Sequence, residues 1–70
     1  MTIATTSDTT RIFIDLPRFV QAMNPVTLQG HLNDRSLNAE VFEMAGRIGI
    51  DCLTIELADV VPVLQQHGLI

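Results

Sequence analysis

The segment Arg11–Pro17 has the sequence Arg-Ile-Phe-Ile-Asp-Leu-Pro, and it predicts how the chain begins to fold. Its branched and aromatic residues alternate with period two, which is typical of a β-strand. One face of this strand is apolar and the other is mixed: Ile12, Ile14 and Leu16 on the first, Arg11, Phe13 and Asp15 on the second. Proline comes next, at a position where it opens a helix without losing a needed N–H donor.

Helical segments are predicted after this strand. Asn24 can cap a new segment that begins with Pro25, so the preceding helix is expected to end or kink there. Ser36 is a favourable N-cap for the most regular helical pattern of the chain. In that pattern, apolar residues recur at helical spacing from Leu37 to Ile48.

The two flanks of the chain differ in character. Residues 1–10 are small and polar, and we expect a flexible N-terminal arm. Residues 49–70 form a C-terminal extension, with an extended piece followed by a helix from about Leu57 to His67 that Gly68 stops. The extension is strongly apolar, so it is expected to cover a core or to dock on another protein. A faint similarity between residues 12–16 and 53–57 is interpreted as coincidence.

Two motifs together resemble the ribbon-helix-helix family, the Arc-like repressors in particular. They are the strand–proline segment and the later Asp34–Val41, Asp-Arg-Ser-Leu-Asn-Ala-Glu-Val. The resemblance spans about residues 11–48, which would be a dimerisation domain. It implies a mostly α-helical fold with one short N-terminal β-strand, an intertwined dimer in which two strands pair into a ribbon, and an extra C-terminal helix.

The resemblance also implies roles for individual residues. The ribbon face would enter the DNA major groove or contact a protein partner, and the N-terminus of the second helix would bind a backbone phosphate. A structural ion pair would correspond to two members of the family's buried Arg–Glu–Arg triad, with the third position on Met44. The implied residues are Arg11, Phe13 and Asp15 on the ribbon face, Ser36 and Leu37 at the helix N-terminus, and Arg35 and Glu40 in the pair.

Composition limits the class of protein. Seventy residues make one domain, 47% of the residues are hydrophobic, and such a small apolar chain is expected to form a homodimer. A single cysteine, Cys52, excludes an internal disulfide. No run of about 20 apolar residues and no secretion signal is visible, so we expect a cytoplasmic protein without a membrane partner. The net charge of −4 opposes bulk attraction to nucleic acid.

No arrangement of residues indicates catalysis. His31 and His67 are far apart in sequence, and no Cys, His or Asp spacing is typical of a metal site. We therefore expect a protein that is not an enzyme and that has no metal, no cofactor and no small-molecule substrate.

Two functions remain open. The first is a small dimeric transcription regulator of the ribbon-helix-helix type that binds operator DNA. The second is a protein-binding module with the same dimer fold and without DNA binding, either antitoxin-like or a phage-type inhibitor of another macromolecule.

Overall fold

A four-stranded antiparallel β-sheet organises the chain. The computed structural model describes residues 2–70. Helices make up 43% of the chain and strands make up 33%. The strands lie in the order β1-β2-β4-β3. The elements in chain order are β1 (Thr2–Thr5), β2 (Thr9–Asp15), α1 (Leu16–Ala22), α2 (Pro25–Asp34), β3 (Glu40–Met44), β4 (Arg47–Leu53), a 3-10 turn (Thr54–Glu56) and α3 (Leu57–Gln66).

The expected mostly α-helical fold with one short N-terminal strand is wrong. The predicted ribbon strand is β2, and it pairs with β1 on one side and with β4 on the other. Because both of its edges are already hydrogen-bonded, β2 has no free edge to pair with a second copy. An intertwined ribbon-helix-helix dimer is therefore not the architecture of this chain.

The helix predicted from Leu37 to Ile48 is replaced by the β3–β4 hairpin. Met44 and Arg47 are paired across a two-residue loop, Ala45-Gly46, in which both residues have positive φ (52° and 74°). That backbone matches the twist of antiparallel strands and closes a tight hairpin. Alanine rarely takes positive φ, and its presence made this turn look like helix.

Ser36 ends a helix instead of capping the start of one. Its φ is 56°, and the amide of Leu37 donates to the carbonyl of Leu32 while the amide of Ser36 donates to that of Asn33. These two bonds form the left-handed C-terminal motif in which glycine is usual. Gly68 ends α3 in the same way, as its position in the sequence predicts.

Several local predictions are confirmed. The amide of Thr27 donates to Asn24 Oδ1 at 2.8 Å, so Asn24 caps α2, and Pro25 is its first residue. Pro17 lies in the first turn of α1. The predicted C-terminal helix is α3, where Pro62 is exposed in the helix interior.

Residues 2–5 and 9–10 are part of the sheet, in contrast to the flexible N-terminal arm expected over residues 1–10. Thr2–Thr5 forms the edge strand β1, and the amide of Thr54 donates to the carbonyl of Asp8 at 3.0 Å. The hydroxyls of Thr10 and Thr54 lie 3.0 Å apart. These bonds fasten the first hairpin to the end of β4. Met1, the first residue of the predicted arm, lies outside the described residues.

All three α-helices pack on one face of the sheet. The strands contribute alternate side chains from β2 and β4 to this core, α1 contributes Phe19, and α2 and α3 contribute apolar residues at helical spacing. The buried core residues are Ile12, Ile14, Ile48, Ile50 and Cys52 from the sheet, Phe19, Leu28, Leu32, Val60, Val63 and Leu64 from the helices, and Leu37, Ala39 and Leu69 from the connections.

The two central strands share a sequence repeat. β2 contains Arg-Ile-Phe-Ile-Asp at 11–15 and β4 contains Arg-Ile-Gly-Ile-Asp at 47–51. They pair antiparallel with Phe13 opposite Gly49, so a pseudo-two-fold axis passes through the sheet at that point. Each half of the chain is an edge strand, a central strand and a helical segment. The similarity noted from the sequence, between residues 12–16 and 53–57, shares residues 12–15 with this repeat and differs in its second segment, which here is 47–51.

We predict that Ala45→Asn stabilises the fold. Asparagine tolerates positive φ and Asn-Gly is a preferred two-residue turn, so the free energy of unfolding should rise by about 0.5–1 kcal/mol. Ala45→Val, with a branched side chain, should lower it. Urea unfolding of the three chains is the measurement, and a stable Ala45→Val variant would contradict the turn geometry.

Candidate functional site

The face of the sheet opposite the helices is not covered by any described element. We call it the open face. It is defined by the strand residues that alternate with the core residues: Thr2 and Ala4 from β1, Thr9, Arg11, Phe13 and Asp15 from β2, Arg47, Gly49, Asp51 and Leu53 from β4, and Glu40, Phe42 and Met44 from β3.

Two phenylalanines form the centre of the open face. The rings of Phe13 and Phe42 are 6.5 Å apart and nearly perpendicular, in an edge-to-face arrangement. Gly49 lies between their strands, and a Cβ at that position would overlap the Phe42 ring. The ring therefore rests directly on the backbone of β4, and it leaves Gly49 buried although no helix covers it.

Each ring is paired with an arginine. The guanidinium carbon of Arg47 lies 4.4 Å from the centroid of Phe13, and that of Arg11 lies 5.0 Å from the centroid of Phe42. Both distances are within the range of cation–π attraction. The arginines thus cover part of the aromatic surface.

Arg11 also forms a bidentate ion pair. Its Nε and Nη2 donate to the two carboxylate oxygens of Asp51 at 2.6 and 2.8 Å. These hydrogen bonds raise the pKa of Arg11 above its already high value, so the guanidinium stays charged. The pair is solvent-exposed, and its main effect is to orient the two groups.

Four charges surround the aromatic centre in an alternating pattern. Arg11 is paired with Asp51 across the two central strands, and Asp15 is paired with Arg47 four residues further along. Like charges therefore lie on the diagonals. We call these four residues the charged quartet. The pattern follows from the antiparallel pairing of two pentapeptides that both begin with arginine and end with aspartate.

The predicted ribbon-face residues lie together, whereas their surroundings were not predicted. Arg11, Phe13 and Asp15 all point to the open face, as the period-two alternation indicates. The sequence interpretation missed Arg47 and Phe42, because both had been assigned to a helix. The repeated pentapeptide is the signal that could have identified Arg47 and Asp51.

The predicted phosphate site does not have the expected geometry. Ser36 is exposed in the turn after α2, and Leu37 is buried in the core. Since no helix begins at these residues, they present no row of free N–H groups to an anion.

Arg35 and Glu40 are not joined as a pair. Arg35 Nη2 lies 3.4 Å from Gln66 Oε1, and Glu40 lies at the start of β3. Within residues 2–70, the ion pair found is that of Arg11 and Asp51. Arg35 therefore links α2 to α3.

Folding brings the two histidines into contact. The rings of His31 and His67 stack with centroids 4.5 Å apart, at the C-terminal ends of α2 and α3. No sequence pattern indicates this contact, since the two histidines belong to different halves of the chain. Residues 2–70 contain no group of three or more potential metal ligands, so this pair lacks further protein ligands.

Comparison with family models, curated proteins and solved structures finds no match for this chain. None of the helices in residues 2–70 has the length and apolar character needed to cross a bilayer.

The buried thiol of Cys52 leads to a prediction about how stability depends on pH. Burial raises the pKa of the Cys52 thiol, and the carboxylates of Glu56 and Asp51 raise it further. The folded thiol therefore keeps its proton to higher pH than the unfolded thiol, so stability should fall as the pH rises through the ordinary thiol range. The chain has no lysine and no tyrosine, so no other side chain titrates between about pH 8 and 11.

The measurement is urea unfolding of the parent and of Cys52→Ala between pH 7 and 10. The parent should lose stability with pH more steeply than the variant. Two parallel curves would contradict the raised pKa, whatever the difference in stability at pH 7.

Proposed function

We propose that this protein is a small protein-binding module that works as a homodimer, with the open faces of two copies packed together. The observation that supports this proposal is the charged quartet around the two phenylalanines. A sheet face with aromatic, Met and Arg side chains has the composition of a protein interface, and sheets stack face to face at about 10 Å.

The charged quartet is complementary to itself. A two-fold axis in the interface and parallel to the strands brings Arg11 opposite Asp51 of the second copy, and Asp15 opposite Arg47. An axis perpendicular to the strands brings Arg11 opposite Asp15, and Arg47 opposite Asp51. Unlike charges meet in both arrangements, because the internal pseudo-two-fold makes the two axes nearly equivalent. Such matching is what an isologous interface requires.

The open face suits protein better than DNA. Its three carboxylates, Asp15, Glu40 and Asp51, outnumber its two arginines. The net charge of the chain is −4, and phosphate binding depends on positive charge. Insertion of a two-stranded ribbon into a groove needs a free ribbon, whereas β2 is an interior strand of the sheet.

The first test is the oligomeric state of Arg47→Glu. The substitution places like charges opposite each other under either axis, and we expect the dimer to dissociate at least tenfold more readily. Arg18→Glu makes the same change of net charge on the exposed surface of α1 and should leave the dimer intact. Light scattering after size-exclusion chromatography gives the molar mass, and circular dichroism checks the fold. A monomeric parent at about 100 µM contradicts the proposal.

A double variant distinguishes the two axes. Asp15→Arg combined with Arg47→Asp keeps unlike charges opposite each other when the axis is parallel to the strands. With the perpendicular axis, the new arginine would lie opposite Arg11 of the second copy. Recovery of the dimer therefore selects the parallel axis, and continued dissociation selects the perpendicular one.

The second test concerns the DNA-binding prediction. Fluorescence anisotropy with a labelled mixed-sequence duplex should show no binding, even at low salt. Binding with a dissociation constant of about 10⁻⁴ to 10⁻⁶ M at physiological salt and a steep salt dependence would instead favour the transcription-regulator function. Arg11→Ala would then show whether the open face is responsible.

A further inference from the structure

The outer edge of β3 is occupied by a side chain of α2. Within residues 2–70, β3 pairs with β4 alone, so its other edge faces α2. Gln29 Nε2 donates to the carbonyl of Ala39 at 2.7 Å, and Gln29 Oε1 accepts from the amide of Val41 at 2.9 Å. One donor and one acceptor are what a residue of a neighbouring strand presents to an edge. The Gln29 amide therefore takes the place of one residue of an additional strand.

An open groove runs between this edge and α2. Val26, Gln29, Gly30 and Asn33 recur at helical spacing along the side of α2 that faces Val41. Val26 is 82% exposed, and a Cβ at Gly30 would meet no atom within 4 Å. The groove thus has apolar walls at Val26 and Val41, and a gap at Gly30 that an incoming side chain can enter.

The charge of the groove is negative. Glu40 borders it, and Glu43 follows Val41 on the same side of the strand. No basic side chain is among the described residues that line it. An extended segment that carries lysine or arginine next to an apolar residue would match both the acidic border and the gap.

We propose that this groove binds an extended basic peptide segment of a target protein, which adds to β3 as a fifth strand. The backbone of the segment displaces the Gln29 amide and bonds to Ala39 and Val41 in its place. It continues along the backbone groups of Glu43, which lie on the same outer edge as those of Val41. An apolar side chain fills the gap at Gly30. Strand addition of this kind obtains affinity from the backbone and selectivity from the pockets.

The proposal names the target chemistry of the module and is independent of its dimer interface. The groove lies along the β3 edge, and Glu40 alone belongs to both surfaces. The Arg47→Glu variant can therefore be tested for peptide binding as a monomer. Peptide binding without a dimer, or a dimer without peptide binding, separates the failure of one proposal from that of the other.

The probe is a capped hexapeptide of alternating lysine and valine, titrated into ¹⁵N-labelled protein. We expect amide resonances of Val41 and Glu43 to shift in a saturable manner. A hexapeptide of alternating glutamate and valine is the matched control and should bind at least tenfold more weakly, because it opposes Glu40 and Glu43.

Two variants should change the affinity in opposite directions. Gly30→Leu fills the gap and should weaken binding at least tenfold; it replaces glycine within a helix, so the fold is retained. Gln29→Ala removes the group that must be displaced and should tighten binding severalfold. Thr27→Leu introduces the same side chain at an exposed position of α2 outside the groove and should have no effect.

The proposal would be overturned by saturable shifts at β1 instead of β3, by equal affinity for the acidic peptide, or by unchanged affinity in Gly30→Leu. Assembly of Gln29→Ala without peptide into species larger than the parent would also overturn it, since the edge would then accept another copy of this chain. The proposal is also overturned if the lysine–valine peptide at millimolar concentration shifts no amide resonance in either the parent or Gln29→Ala.

Discussion

The pairing of β2 with β4 is the interaction on which the rest of the molecule depends. Arg11 and Asp51 are 40 positions apart in sequence, yet they are partners in the register of these strands. Within residues 2–70, the edge strand of each half pairs only with its own central strand, and the helices pack on the alternate residues of both central strands. A slip of one residue would turn the core isoleucines to the open face and the charged quartet to the core. One register therefore determines both surfaces of the sheet.

Elements whose ends carry local sequence signals were predictable, whereas the pairing of strands that are distant in sequence was not. Asn24-Pro25 marks the start of α2, and Gly68 marks the end of α3, because caps and breakers act within a few residues. The second hairpin was missed because its turn contains Ala45 at positive φ, an uncommon choice. Apolar residues from 37 to 48 satisfy helical spacing, and the same segment also fits two strands joined by a turn. Tertiary pairing with β2 decides between the two, and that pairing is not encoded locally.

In the candidate site, too, the local features were predictable and those that depend on strand pairing were not. Alternation within one strand correctly oriented Arg11, Phe13 and Asp15, because side-chain direction in a strand depends on parity alone. The residues that complete the open face come from strands far along the chain, and their position depends on the register. Ser36 failed as a phosphate site for a related reason. The same serine can begin one helix or end another, and the bonds of its amide to α2 assign it to the end.

The near-repeat of the two central strands has a consequence for the symmetry of the molecule. Two units of hairpin and helix, joined by the segment before β3, meet about a pseudo-two-fold axis as two separate subunits would meet in a dimer. At the axis itself the two halves differ. Position 13 holds phenylalanine and position 49 holds glycine, and the space thus left on β4 is filled by Phe42 from the neighbouring strand. Two identical subunits would carry the same residue at both positions, so this asymmetric packing requires that both halves belong to one chain.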